Sequence, residues 1–293
     1  MNNLFKNIVL FLVMSVSLLA AKGDYFVTAQ WLKDNIEKEN LLILDARGKK
    51  SDFMKGHIPG AVLTSWPAFS KMDGNASTNK EWGVLKDRSD LEKSLQSVGL
   101  NNDSEVIVYT DSLNGFGEGA RLLWMLKYAG FDNVKLLDGG IASWKNAEGK
   151  TANFGKRVAP GNYTIKNFNK KLVISTKSLN SNLKSYSILD TREAAEYNGE
   201  KNYGESKNGR IPGSKNIFYK DFLDEEGKLK SKKEVDSLIA ESGLDTSKTI
   251  IPYCTGGIRS SMGWLAMMTY GYDAANYDSS FAGWTLAGMP LEN

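Results

Sequence analysis

The chain's single cysteine stands in the run Ile250-Ile251-Pro252-Tyr253-Cys254-Thr255-Gly256-Gly257-Ile258-Arg259-Ser260-Ser261. An apolar strand gives way there to a glycine-bearing loop and then to a helical pattern. Such a loop aims several backbone N–H groups at one point, and the helix N-terminus adds partial positive charge. Together they lower a thiol's pKa and make it a nucleophile. The alternative is a buried cysteine acting as a small hydrophobe, but small residues and an arginine directly after it fit an anion-receiving loop better. Cys254 is therefore the candidate nucleophile. The groups expected to meet a substrate are the N–H groups of Thr255, Gly256, Gly257, Ile258 and Ser260, with the Arg259 guanidinium. An arginine in a helix's first turn opposes the macrodipole. It requires a carboxylate partner or an anion there, and the anion is the favoured of the two.

The elements that must position these groups emerge from an internal repeat. Leu41-Leu42-Ile43-Leu44-Asp45-Ala46-Arg47 is echoed by Tyr186-Ser187-Ile188-Leu189-Asp190-Thr191-Arg192, and Gly56-His57-Ile58-Pro59-Gly60 by Gly209-Arg210-Ile211-Pro212-Gly213. Val106 to Tyr109 answers Ile250 to Tyr253, the helical patterns Ala120 to Ala129 and Ser260 to Tyr270 follow, and the segment ending at Trp144 answers the one ending at Trp284. Continuous apolar strands alternating with amphipathic helices predict an α/β fold of two tandem domains, each a parallel-type sheet with helices on both faces. The expected domains are 24–148 and 171–293. The segment 149–170, rich in Gly, Asn and Lys, reads as a linker. In the helix containing Arg121-Leu122-Leu123-Trp124-Met125-Leu126-Lys127, the spacing leaves Arg121 and Lys127 to face water.

The repeat also sorts the remaining reactive residues. At the place of Cys254 the first copy has Thr110, so the first domain is expected to be inactive. The only histidine, His57, lies in the first copy opposite Arg210 and reads as a turn residue with some solvent contact, which disfavours a Cys-His pair or a histidine metal site. Asp45 and Asp190 recur in both copies and so point to structure rather than acid/base work, and Trp144 and Trp284 read as core.

Lys6, the apolar stretch Ile8 to Leu19 and Ala20-Ala21 match the parts of a secretory signal peptide, so 1–21 is expected to be a cleaved export signal, with a periplasmic location and no stable membrane insertion afterwards. Export with one cysteine suggests a free reactive thiol. The formal charge of +3 is spread among acidic residues without a basic stripe, which disfavours nucleic acid as a partner. Nothing in the sequence calls for a metal or an organic cofactor.

With these residues in view, the chain resembles the tandem-domain rhodanese family of thiosulfate and 3-mercaptopyruvate sulfurtransferases, with an inactive first domain and an active second one. The resemblance rests on Tyr253-Cys254 entering a Cys-x-x-Gly-x-Arg-Ser loop, the Ile-Pro-Gly turns, the Asp-x-Arg strand ends and the C-terminal Gly-Trp. It implies that Cys254 takes a sulfane sulfur from a small donor as a persulfide and passes it to cyanide or a thiol. Arg259 would then hold the leaving sulfite. Thr255-Gly256-Gly257 lacks the basic residues many thiosulfate users carry, and Glu196 stands where tandem members often place a donor-binding arginine. Arg210 is a candidate to take that task over. Thiosulfate is the expected donor and 3-mercaptopyruvate the alternative. Phosphatases of related fold place five residues between Cys and Arg, whereas here Thr255 to Ile258 are four. An exported persulfide carrier or sensor is the competing reading outside catalysis.

Overall fold

The computed structural model describes residues 22, 24–155 and 157–293, and the expected export signal at 1–21 lies outside the described residues. In the first half β1 (Phe26–Val27), α1 (Ala29–Asn35), β2 (Leu41–Asp45), α2 (Lys50–Lys55), β3 (Val62–Leu63), α3 (Arg88–Ser97), β4 (Glu105–Tyr109), α4 (Glu118–Tyr128), β5 (Val134–Leu137) and α5 (Gly140–Asn146) follow one another. The second half has α6 (Thr176–Ser181), β6 (Ser187–Asp190), α7 (Ala194–Tyr197), β7 (Lys215–Asn216), α8 (Lys232–Ser242), β8 (Ile250–Tyr253), α9 (Arg259–Thr269) and α10 (Ser280–Leu286). Local chemistry marks the boundaries. The lysine-rich start at 230–233 opens α8 behind a capping box of Ser231 and Glu234, and Gly243 ends that helix in the left-handed region at φ 69°, as its missing Cβ allows.

The first sheet is wholly parallel in the order β1-β5-β4-β2-β3. Val106, Ile107 and Val108 in its centre are fully buried, as a strand covered on both faces requires. The second sheet runs β7-β6-β8, with Ser187–Asp190 in parallel register with Ile250–Tyr253. Parallel bridges from Ile250 to Ala274 and from Val173 to Asn276 extend it, in the places that β5 and β1 occupy in the first. The repeat in sequence is thus a repeat in topology, and Tyr109 and Tyr253 end equivalent strands.

Each copy has its own apolar cluster on one sheet face, one built on Ile107, Tyr109 and Trp144 and the other on Ile251, Tyr253 and Trp284. The clusters on the opposite faces merge into one, in which Leu122 and Trp124 of α4 join Trp264 and Leu265 of α9. Three expectations change here. His57 is 1% exposed, stacked on Phe53 and bonded to the Phe53 carbonyl at 2.9 Å, so it has no solvent contact. Arg121 does not face water either, because the apolar face of α4 that it borders is pressed against α9. Among the described residues the segment 149–170 has no helix or strand before Lys170, where a 3-10 turn begins, but it is strapped to the first domain: Ala152 bridges to His57, and the Tyr163 hydroxyl donates to the Ala129 carbonyl at 2.8 Å.

Candidate active site

Cys254 follows the last residue of β8. Its N–H donates to Ser280 Oγ at 3.2 Å, and its carbonyl accepts from the N–H of Phe281 at 2.9 Å. The preceding Tyr253 is anchored as well. Its buried hydroxyl donates to Asp190 and accepts from the N–H of Ile211, while Asp190 also receives the Arg192 guanidinium. Burial first, then the Asp190 charge, pushes the Tyr253 phenol well above its ordinary range. The same arrangement of Tyr109, Asp45, Arg47 and Ile58 recurs in the first domain, so the Asp-x-Arg pairs hold strand ends in both copies.

The loop then folds back over the sulfur. Gly257, at φ +85°, donates its N–H to Cys254 Sγ at 3.1 Å. Among the described residues no acceptor meets the N–H groups of Thr255, Gly256 or Ile258, which leaves a set of backbone donors on the loop. The thiol is 1% exposed, yet it lines a cavity of 170 Å³ with Thr255, Gly256, Ile258 and Arg259, under the rings of Trp66, Trp82, Phe116 and Tyr203.

Of the two partners the sequence left open for Arg259, the structure supplies the carboxylate. Nη1 lies 2.6 Å from Glu196 Oε2 and Nη2 2.8 Å from Oε1, a bidentate pair. Nη2 also donates to Thr255 Oγ1, and the guanidinium lies over the Tyr203 ring. The Thr255 hydroxyl is 2.7 Å from Glu205 Oε1. Burial disfavours the Arg259 charge, but the Glu196 bond and the field of Cys254 outweigh it and hold the guanidinium's pKa above its usual value. Burial likewise acts against ionised Glu196, and Arg259 overcomes it to keep that carboxyl below the ordinary range.

Arg210 is not brought to the cavity. Its guanidinium pairs with Glu292 at 2.8 Å and with the carbonyl of Asn293, so it fastens the C-terminus instead of a donor. Ser260 lies at the start of α9, and its buried hydroxyl is without a hydrogen-bond partner among the described residues. Four aromatic residues that sequence reasoning passed over enter the site. Trp66, Trp82 and Phe116 belong to the first domain, and Tyr203 follows α7. The signal was available: the stretch from Gly60 to α3 is longer than its counterpart, and so is the stretch from Asp190 to Gly209. Each copy carries an insertion that the other lacks, and both insertions reach the cysteine.

The model of the rhodanese-like domain matches twice, over residues 28–147 and 175–287. The chain belongs to the rhodanese-like family. A Mycobacterium leprae protein carrying the provisional name thiosulfate sulfurtransferase is 29% identical over 93% of this chain and 99% of its own length. The 3-mercaptopyruvate sulfurtransferase of Escherichia coli is also 29% identical, over 92% of this chain and 98% of its own. The crystal structure of the E. coli 3-mercaptopyruvate sulfotransferase SseA superposes with a TM-score of 0.74 at 27% identity, covering 87% of this chain and 97% of that one. An anaerobic ergothioneine biosynthesis enzyme from Chlorobium limicola shares the rhodanese-like fold at a TM-score of 0.78 and 22% identity, over 93% of this chain and 71% of that one.

Proposed function

We propose that this rhodanese-like protein is a sulfurtransferase that carries a sulfane sulfur on Cys254. The observation that carries the reading is the Gly257 N–H on the Cys254 sulfur, on a loop with further unpartnered N–H groups at the base of a cavity between the two domains. With thiosulfate as donor, the thiolate attacks the outer sulfur. A new S–S bond forms as the donor's breaks, and its electron pair leaves with sulfite. Cyanide or a thiolate then attacks the outer sulfur of the persulfide, and the electron pair of that bond returns to Cys254. The loop N–H groups stabilise sulfur-borne negative charge in both steps, and removing one such donor costs about 3 kcal/mol of transition-state stabilisation.

A second reading, 3-mercaptopyruvate as donor, is favoured by one observation: the cation lining the cavity is neutralised by Glu196 and the walls are aromatic. That environment suits a donor with an organic body better than an inorganic dianion. Export to the periplasm, supported by the signal-like pattern of 1–21, completes the proposal. N-terminal sequencing of protein recovered from the periplasmic fraction tests it, and retention in the cytoplasm with an intact leader would overturn it.

The test of activity is intact mass spectrometry of the reduced protein with each donor, beside Cys254→Ser, followed by cyanide. A gain of one sulfur atom on the wild type alone, discharged as thiocyanate, is expected. The donor that loads the thiol decides between the two readings, and loading without discharge to cyanide or any thiol would replace the enzyme with a carrier.

A further inference from the structure

Arg121 is the cation the sequence placed in water and the structure buries to 1% exposure at the domain interface. It lies in α4, the helix following the thiol-free loop of the first domain. Nη1 donates to Asp278 Oδ1 at 2.6 Å and to the carbonyl of Gly257 at 3.3 Å, and Nη2 donates to the carbonyl of Gly83 at 2.8 Å. Asp278 in turn accepts from the N–H of Leu85 at 3.1 Å. One guanidinium therefore joins the first domain's insertion, the segment after the second sheet and the sulfur loop.

The Gly257 contact matters most, because that residue's own N–H is on the sulfur. Its carbonyl accepts from Arg121 and, at 2.9 Å, from Ser261 Oγ. A trans peptide sets the carbonyl and the following N–H on opposite sides. A carbonyl held toward Arg121 thus turns the N–H of Ile258, one of the donors without a partner, away from it. The charge of the guanidinium also polarises this peptide and strengthens its N–H as a donor. Gly257 has little freedom to adjust: a Cβ there would stand 2.6 Å from the carbonyl oxygen of Asp278 and 3.1 Å from Arg121 Nη1.

We propose that Arg121, supplied by the domain without a thiol, is a positioning residue for sulfur transfer that clamps the Gly257 carbonyl and so presets the loop N–H groups around Cys254. The proposal rests on Cys254 being the sulfur carrier. The other charged groups on the elements around the thiol include Arg259 on α9, Glu118 on α4, whose carboxylate accepts from the N–H of Phe116, Glu196 and Glu193 on and just before α7, Glu205 beyond α7, and Asp278, which partners Arg121. None of them bonds the Gly257 carbonyl.

The experiment compares the full chain with Arg121→Met, Arg121→Lys and Tyr219→Phe. The last removes a different inter-domain bond, from the Tyr219 hydroxyl to the Gly115 carbonyl beside Phe116, and among the described residues Tyr219 makes no hydrogen bond to residues 254–259. The rate of Cys254 alkylation by iodoacetamide is measured against pH, with the rate of sulfur loading and the thermal midpoint. Arg121→Met should move the alkylation midpoint to higher pH and slow loading by about tenfold, the worth of one charge-assisted hydrogen bond. Arg121→Lys, which cannot hold three acceptors in one plane, should fall between. Tyr219→Phe should keep the wild-type midpoint even where it lowers thermal stability. A wild-type midpoint in folded Arg121→Met overturns the proposal, and so does an equal shift in Tyr219→Phe. If Arg121→Met does not fold, a wild-type midpoint in Arg121→Lys overturns it. Alkylation reports the thiolate whether or not it accepts sulfur, so failure of the sulfurtransferase reading is seen separately, in the loading assay.

Discussion

Arg259 and Glu196 form a buried, bidentate ion pair one hydroxyl away from the reactive loop. Removing one partner of such a pair strands the other charge in a medium that solvates it poorly. Glu196→Gln is expected to cost about 3 kcal/mol of folding stability, measured by urea unfolding at neutral pH. The pair also sets a pH dependence. The Glu196 carboxyl has its folded pKa below the ordinary value of 4.5, so the unfolded chain takes up the proton first as the solution is acidified. Its stabilisation is complete above the unfolded value and is lost as pH falls through the lower folded one. Stability measured from pH 6 to pH 3 should therefore fall less steeply in Glu196→Gln than in the wild type. An unchanged acid limb would show that other carboxylates control it.

At the scale of elements, the chemistry depends on a strand end, a five-residue turn and a helix start held in fixed relation. Gly257 is the hinge of that arrangement, at φ +85° with the Asp278 backbone where a side chain would begin. Gly257→Ala combines an unfavourable backbone region with a backbone clash, and relief requires the loop to leave the sulfur. It should lower sulfur loading, measured by intact mass, at least about tenfold, while far-UV circular dichroism stays native. Retained loading would mean that the Gly257 N–H is dispensable. These same elements were legible in the sequence. Val106-Ile107-Val108 and Ile250-Ile251 are short β-branched apolar runs of the kind a strand covered on both faces favours, and the cysteine's place between such a run and a helix follows from order along the chain. The aromatic walls were not legible. Trp82 meets Gly256 and Arg121 meets Asp278 across more than a hundred residues, and no local period records which insertion folds over which loop. Arg121 was misplaced for the same reason, since its partners Gly83, Gly257 and Asp278 are all distant in sequence, whereas the His57 side chain finds its partner only four residues away in Phe53 and its backbone pairs with the distant Ala152.

Over the whole molecule, the two copies are not independent beads. Leu122 and Trp124 from one and Trp264 and Leu265 from the other are all fully buried in a shared cluster. The indole N–H of Trp124 donates to the Leu172 carbonyl, and the Tyr25 ring meets Trp264 edge to face at 6.1 Å. Exposing four such side chains costs roughly 1.5–3 kcal/mol each, a sum comparable with the entire stability of an ordinary domain. A second domain left alone would carry that apolar face into water and would also lose Trp66, Trp82 and Arg121 from its site. Neither half is therefore expected to unfold ahead of the other. Urea unfolding followed by tryptophan fluorescence, by far-UV circular dichroism and by the rate of Cys254 alkylation should give coincident transitions. Alkylation that rises in a separate, earlier transition would show that the site opens without the core, and the first domain would then be a detachable cover instead of a structural part of the catalytic unit.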